Sequence, residues 1–198
     1  MSAHSIKPQD VLVACQLAIL GNKPATHAWL SETLHLSSST VFASLKSLKF
    51  AKLVTTSGSG PRVAGQRLLE FLVYGVPTLY YPQKTEIVRG VATAVFSPHF
   101  RERFTAGKDL PVVWPYSKGK ETGEGLVPLY PSIPIACSKN PDLYQLMATI
   151  EILRIGKARE KDAAISYLEE LFDVLLPTAG NARPSENATV QTTQGDNR

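Results

Sequence analysis

Leu30-Ser31-Glu32-Thr33-Leu34-His35-Leu36-Ser37-Ser38-Ser39-Thr40-Val41, continued by Leu45, Leu48 and the pair Leu53-Val54, is the stretch that decides how this chain is read. Leu30 and Leu34 lie one helical turn apart, and Val41, Leu45 and Leu48 recur at i, i+4 and i+7. That spacing describes two short amphipathic helices joined by a tight polar turn. Thr26 and Ser37 each stand just before a helix, where a hydroxyl can accept a backbone N–H that the first helical turn leaves unpaired. The pattern predicts one helix from about His27 to His35 and another that follows Ser37 and carries Val41, Leu45 and Leu48. With its apolar stripe turned inward, the second helix presents Ser39, Ala43, Lys46 and Ser47, with Phe42 on the flank. Lys49 and Lys52 follow further along.

Upstream, Pro8 suits a first helical turn, and Val11, Leu12, Cys15, Ala18 and Ile19 mark one face of a helix over 8–21, closed by Gly21-Asn22. Downstream, Leu53-Val54-Thr55-Thr56 reads as a short strand, and Ser57-Gly58-Ser59-Gly60-Pro61 as a turn. Arg62 and Val63 lead either a return strand or the next helix. That fourth helix runs to about Tyr74, with Leu68, Leu69 and Leu72 inward and Gly75 as its stop.

Charge is divided unevenly along the chain. The net charge is +4, and residues 1–75 carry seven Lys or Arg against three acids, whereas the two signs balance in 76–176 and again in 177–198. No acid lies between Glu32 and Glu70, a 37-residue interval with five basic residues, Lys46, Lys49, Lys52, Arg62 and Arg67. An ordinary protein surface mixes the two signs, whereas a surface facing a polyanion excludes acids. Small and polar residues at the start of a helix let it sink into a major groove. There Ser and Lys can meet base edges, and Phe a thymine methyl.

The remainder has a different texture. Residues 76–140 are rich in Pro, Gly, Val and Tyr, with β-like runs at Thr78–Tyr81, Ile87–Phe96 and Pro111–Trp114. Gly123 and Gly125 sit in a polar loop before Leu126–Tyr130. In 141–176, two apolar stripes, Leu143 to Leu153 and Ile165 to Leu175, flank Gly156, giving one helix with a weak centre or two. Two such stripes exceed what one small core needs, so this region is expected to dimerise. From Pro177 the chain has no aromatic residue, and its polar composition predicts disorder. No apolar run approaches a membrane span, and the N-terminus lacks a signal-peptide pattern, so the expected compartment is the cytoplasm. Cys15 and Cys137 read as small core residues.

The quoted stretch, with its flanking positions, resembles the helix-turn-helix of bacterial winged-helix regulators, the MarR-like group being the nearest. The resemblance covers roughly residues 8–75. It implies an N-terminal winged helix-turn-helix over 1–75; followed by the β-rich region over 76–140, the C-terminal helices over 141–176 and the tail over 177–198, it makes the chain an expected α+β protein. It further implies a dimeric transcriptional repressor of double-stranded DNA, with its recognition helix over 38–49 and its wing near 57–62. The DNA-contacting residues are then Ser38, Ser39, Phe42, Ala43, Lys46, Ser47, Lys49, Lys52, Arg62 and Arg67. The small residue usual after the first Leu is Ser31 here, and Lys52 stands where a glycine is usual. Phe71-Leu72-Val73-Tyr74-Gly75-Val76-Pro77, Val113-Trp114-Pro115 and Pro128-Leu129-Tyr130-Pro131-Ser132 are similar to regulators from toxin–antitoxin or defence loci.

Nothing in the sequence calls for catalysis. Gly58, Gly60 and Gly65 lack the Gly-Lys-Ser/Thr ending of a phosphate loop. His4, His27, His35 and His99 are scattered, and Ser117 with Lys120 falls in a loop. No cofactor and no metal are expected. The rival reading is an antitoxin or assembly factor whose winged helix grips a toxin-like partner protein instead of DNA.

Overall fold

The computed structural model describes residues 5–57, 60–104 and 109–176. It is an α+β structure. In chain order come α1 (Pro8–Leu20), α2 (His27–Leu34), α3 (Ser38–Phe50), a hairpin of β1 (Val54–Ser57) and β2 (Gly60–Val63), and α4 (Gly65–Glu70). A π-helical turn (Phe71–Gly75) carries α4 directly into α5 (Val76–Leu79). Then follow β3 (Lys84–Ala92), a 3-10 turn (Ala94–Phe96), α6 (Pro98–Phe104), β4 (Val112–Pro115), β5 (Glu121–Leu126), α7 (Ile133–Cys137), α8 (Pro141–Ile155) and α9 (Ala158–Leu175). The disordered tail expected from Pro177, and Gly58 and Ser59 of the expected wing, lie outside the described residues.

Local chemistry sets the helix starts. Thr26 accepts the Trp29 N–H at 3.1 Å, Ser37 the Thr40 N–H at 3.1 Å, and Asn140 the Leu143 N–H at 3.1 Å. Asn140 also donates its amide to Gln16 at 3.0 Å, which ties the start of α8 to α1. Among the expected elements, α1 differs in kind. Every residue from Asp10 to Ala18 is buried, not just one face. The helix is walled by α2, α3 and β2 as well as by α8 and α9, and a helix enclosed on all sides needs no polar face.

Gly75 does not end the fourth helix. The backbone winds more widely through Phe71–Gly75 and continues, and the Phe71 ring occupies the space that a Cβ on Gly75 would need. Thr78 and Leu79, expected as strand, therefore belong to α5. The middle region is mixed, with short helices between its strands. β3 pairs antiparallel with both β4 and β5, and β4 pairs parallel with β5, closing a three-stranded barrel. Gly123 and Gly125, expected in a loop, are strand residues of β5. In so small a barrel the backbones press together; a Cβ on Gly123 would strike the Pro111 carbonyl, and one on Gly125 the Thr85 hydroxyl. Glu121 and Glu124 are strand residues too, each paired with a cation: Arg101 at 2.8 Å and Lys84 at 2.7 Å.

A buried polar network fastens this region to α8. Glu151 is fully buried and accepts from Trp114 Nε1 at 3.1 Å and from Arg154 at 2.5 Å. Arg154 donates in addition to the carbonyls of Tyr80, at 2.9 Å, and Tyr81, at 3.3 Å. Burial pushes the Glu151 carboxyl up from its ordinary range, against the pull of the Arg154 charge and the Trp114 N–H. Cys15 and Cys137 are free, buried thiols, and desolvation raises both well above the ordinary thiol range.

The two C-terminal stripes are separate helices, α8 and α9, packed on each other. Leu143, Leu146, Met147, Ile150 and Leu153 are all buried within the chain, as are Leu168 and Phe172. The stripes expected to face a second copy are therefore largely occupied by the chain's own core, which draws on α1, α3, α4, α8 and α9 alike. Among the described residues, no helix is long and apolar enough to cross a membrane.

Candidate nucleic-acid interface

On α3 the residues advance about 100° each, so burial of Val41, Ser44, Leu45 and Leu48 fixes which side faces outward. Ser39, Ala43, Lys46 and Phe50 form the outward stripe, and all four are exposed. Phe42 and Lys49 flank it on one side, and half-buried Ser47 on the other. Ser38 opens the helix and is exposed.

Phe50 lies one residue beyond the helix expected over 38–49. Spacing alone could have found it, since 39, 43, 46 and 50 repeat the stripe one turn further on. Phe42 and Phe50 are 61% and 68% exposed, which is unusual for phenylalanine. Phe42 meets His27 of α2 edge-on, with ring centroids 6.2 Å apart, so the start of α2 borders the same surface. At the N-terminal end, the Ser37 hydroxyl contacts Ser39 Oγ at 2.9 Å and Thr40 Oγ1 at 2.8 Å. Ser39 therefore already shares one hydrogen bond with the cap.

Lys46, Lys49 and Lys52 are exposed, and among the described residues none of them is in an ion pair. Lys52 follows α3 in the left-handed conformation, at φ +58°. A glycine is the ordinary occupant of such a position, so the departure at Lys52 is a charged side chain placed where the backbone favours none.

Arg62 does not stand out toward a phosphate. The hairpin pairs Thr55 with Arg62 and Val54 with Val63. From β2 the guanidinium reaches back to the carbonyls of Asn22 at 2.6 Å, Lys23 at 2.9 Å and Gly21 at 3.3 Å. It braces the hairpin against the α1–α2 connector. Arg67 is exposed, but it lies on α4, whose packing partner is α9, and so stands apart from the α2–α3–hairpin unit. The site residues thus divide. Ser38, Ser39, Phe42, Ala43, Lys46, Ser47 and Lys49 share α3, Lys52 adjoins its end, and Arg62 and Arg67 lie outside the group.

Chemically, this surface offers hydroxyls, ammonium groups and two aromatic faces, with no carboxylate on α3. Such a set can neutralise phosphates, donate to base-edge acceptors and stack on apolar groups. No family model matches the chain, and no curated protein or solved structure matches it either.

Proposed function

We propose that this protein is a winged-helix, sequence-specific DNA-binding regulator of transcription, with α3 as the recognition helix and the β1–β2 hairpin as the wing. The observation that carries the reading is the outward stripe of Ser39, Ala43, Lys46 and Phe50, with unpaired Lys49 and Lys52 beside it. It lies inside a sequence interval that holds no acid from residue 33 to 69. Small side chains early in the helix allow close approach to a groove. The lysines supply affinity that falls with salt, because binding releases counterions. We propose further that it acts as a repressor and homodimer, since two recognition helices reading two half-sites gain specificity that one lacks. The partner copy must then use a surface other than the buried α8 and α9 stripes.

The test is a fluorescence-anisotropy titration with duplex from upstream of its own gene and with random duplex, at several salt concentrations. Lys46→Ala should cost about 1–3 kcal/mol on the preferred duplex and much less on random DNA. Lys49→Ala should weaken both about equally. Wild-type protein that binds neither duplex at low salt sinks the reading.

A second reading rests on Phe42 and Phe50. Two largely exposed phenylalanines on one helix also suit an antitoxin or assembly factor that docks a toxin-like partner protein. Under that reading Phe50→Ser abolishes partner binding, while Lys46→Ala leaves it nearly intact.

A further inference from the structure

A cavity of about 270 Å³ opens between β3, the β4–β5 turn and α8, remote in sequence from the α3 surface. It is lined by Val91, Pro98, Tyr116 and Tyr144, and also by the exposed Lys118 and Lys120. The Tyr144 phenol donates to the Ala92 carbonyl at 2.7 Å, and burial first, then nearby charge, holds it protonated up to about pH 12. That wall is therefore a fixed aromatic surface.

The turn that carries the lysines is held at both ends. Tyr116 N–H donates to the Arg89 carbonyl at 3.1 Å, and Gly119 N–H to the Tyr116 carbonyl at 2.9 Å. Gly119 lies directly on Gly90, with no room for a Cβ between them. Lys118 and Lys120 are thus rooted in a rigid loop. The carboxylate lining this cavity, Glu121, is already gripped bidentately by Arg101, at 2.8 Å and 2.9 Å. Neither lysine has an acid partner among the described residues.

Two lysines without an acid partner, lining the same cavity as apolar and aromatic side chains, suit a ligand with a double negative charge and a flat apolar body. Ammonium is a compact point charge that suits phosphate, whereas a planar carboxylate is better matched by the guanidinium fork. The volume lies just below the roughly 300–1,000 Å³ of drug-sized pockets, so the body is limited to about one ring. We propose that this cavity binds a small phosphate monoester carrying a single flat ring. The proposal stands whether or not the protein binds DNA.

Calorimetric titration of the full chain with phenyl phosphate tests it, with inorganic phosphate, phenol and benzoate as comparisons. Phenyl phosphate should bind at one site with a Kd on the order of 1 mM or tighter. Each comparison compound should bind at least about tenfold more weakly. Lys118→Ala/Lys120→Ala, two exposed changes that should leave the melting temperature unaltered, should reduce phenyl phosphate affinity by at least about tenfold. Val91→Trp, which fills the cavity, should abolish it in protein that still melts cooperatively. The proposal is overturned if phenyl phosphate gives no binding, if benzoate or inorganic phosphate binds as well, or if the double lysine variant binds unchanged.

Discussion

Replacing Lys52 with glycine should strengthen the fold and weaken duplex binding in the same molecule. Lys52 closes α3 at φ +58°, with its N–H donated to the Lys49 carbonyl at 3.0 Å and its side chain in solvent. A side chain in the left-handed region costs roughly 1–2 kcal/mol, which glycine avoids. Glycine also gives the unfolded chain more freedom, and that returns about 0.4–1 kcal/mol. The net expectation is a gain of about 0.5–1 kcal/mol in urea unfolding, or a rise of roughly 1–4 °C in melting temperature for a chain of this size. Binding should move the other way. Losing one phosphate contact should lower the slope of log K against log salt by about 0.9, and weaken preferred and random duplex alike. Lys52→Ala separates the causes, because it removes the charge but keeps the strained backbone. It should bind as weakly as the glycine variant without being stabilised. A folding defect cannot imitate a variant that is more stable and binds less. A glycine variant that melts below wild type refutes the backbone argument, and an unchanged salt slope refutes the phosphate-facing role.

Other perturbations follow from contacts already described. Arg62→Ala removes a guanidinium from three carbonyls at 2.6–3.3 Å and, allowing for partial exposure, should cost about 2–3 kcal/mol in urea unfolding. An unaltered urea midpoint would contradict the bracing role. Glu151→Gln strands the Arg154 charge in the core and should cost about 3–5 kcal/mol, whereas Glu151→Gln combined with Arg154→Met should recover much of the loss; equal stability of the two variants argues against the pair. Burial raises the phenols of Tyr80, Tyr144 and Tyr167 to about 12 in the folded chain, from an ordinary 10. The folded state then holds protons that the unfolded state releases, so this stability is complete below pH 10 and is lost as pH climbs from 10 to 12. Circular dichroism and tyrosinate absorbance should change together over that range, and tyrosinates that form while the native spectrum persists would contradict it.

What could be read directly from the sequence was local. Thr26 and Ser37 announce their helices because a cap is a contact over three residues, and both caps form at 3.1 Å. The α3 stripe follows from spacing alone. Errors arise where a partner distant in sequence decides the outcome. Thr78–Tyr81 has strand-like residues, yet Arg154 takes the carbonyls of Tyr80 and Tyr81 from more than seventy positions away. Arg62 looks like a free cation until the carbonyls at Gly21, Asn22 and Lys23, about forty residues upstream, are placed beside it. Gly123 and Gly125 imitate a loop because composition cannot separate a flexible glycine from one demanded by close strands. Here the second reason holds.

The burial of α1 bears on how the α3 surface is held. A helix-turn-helix read from sequence appears separable, with α1 offering one apolar face to α3 and water on the other. In the fold, both sides of α1 are walled, and α8 and α9 cover what solvent would otherwise meet. The expected boundary at residue 75 falls inside a continuous helical run from α4 through the π-helical turn to α5, so the chain has no joint there. The outward stripe of α3 is consequently fixed to the same packed body that carries Tyr144 and the cavity beside it. Close-packed interiors transmit displacement instead of absorbing it. A shift of α8 at the cavity would press on α1, and α1 is the surface on which α3 rests.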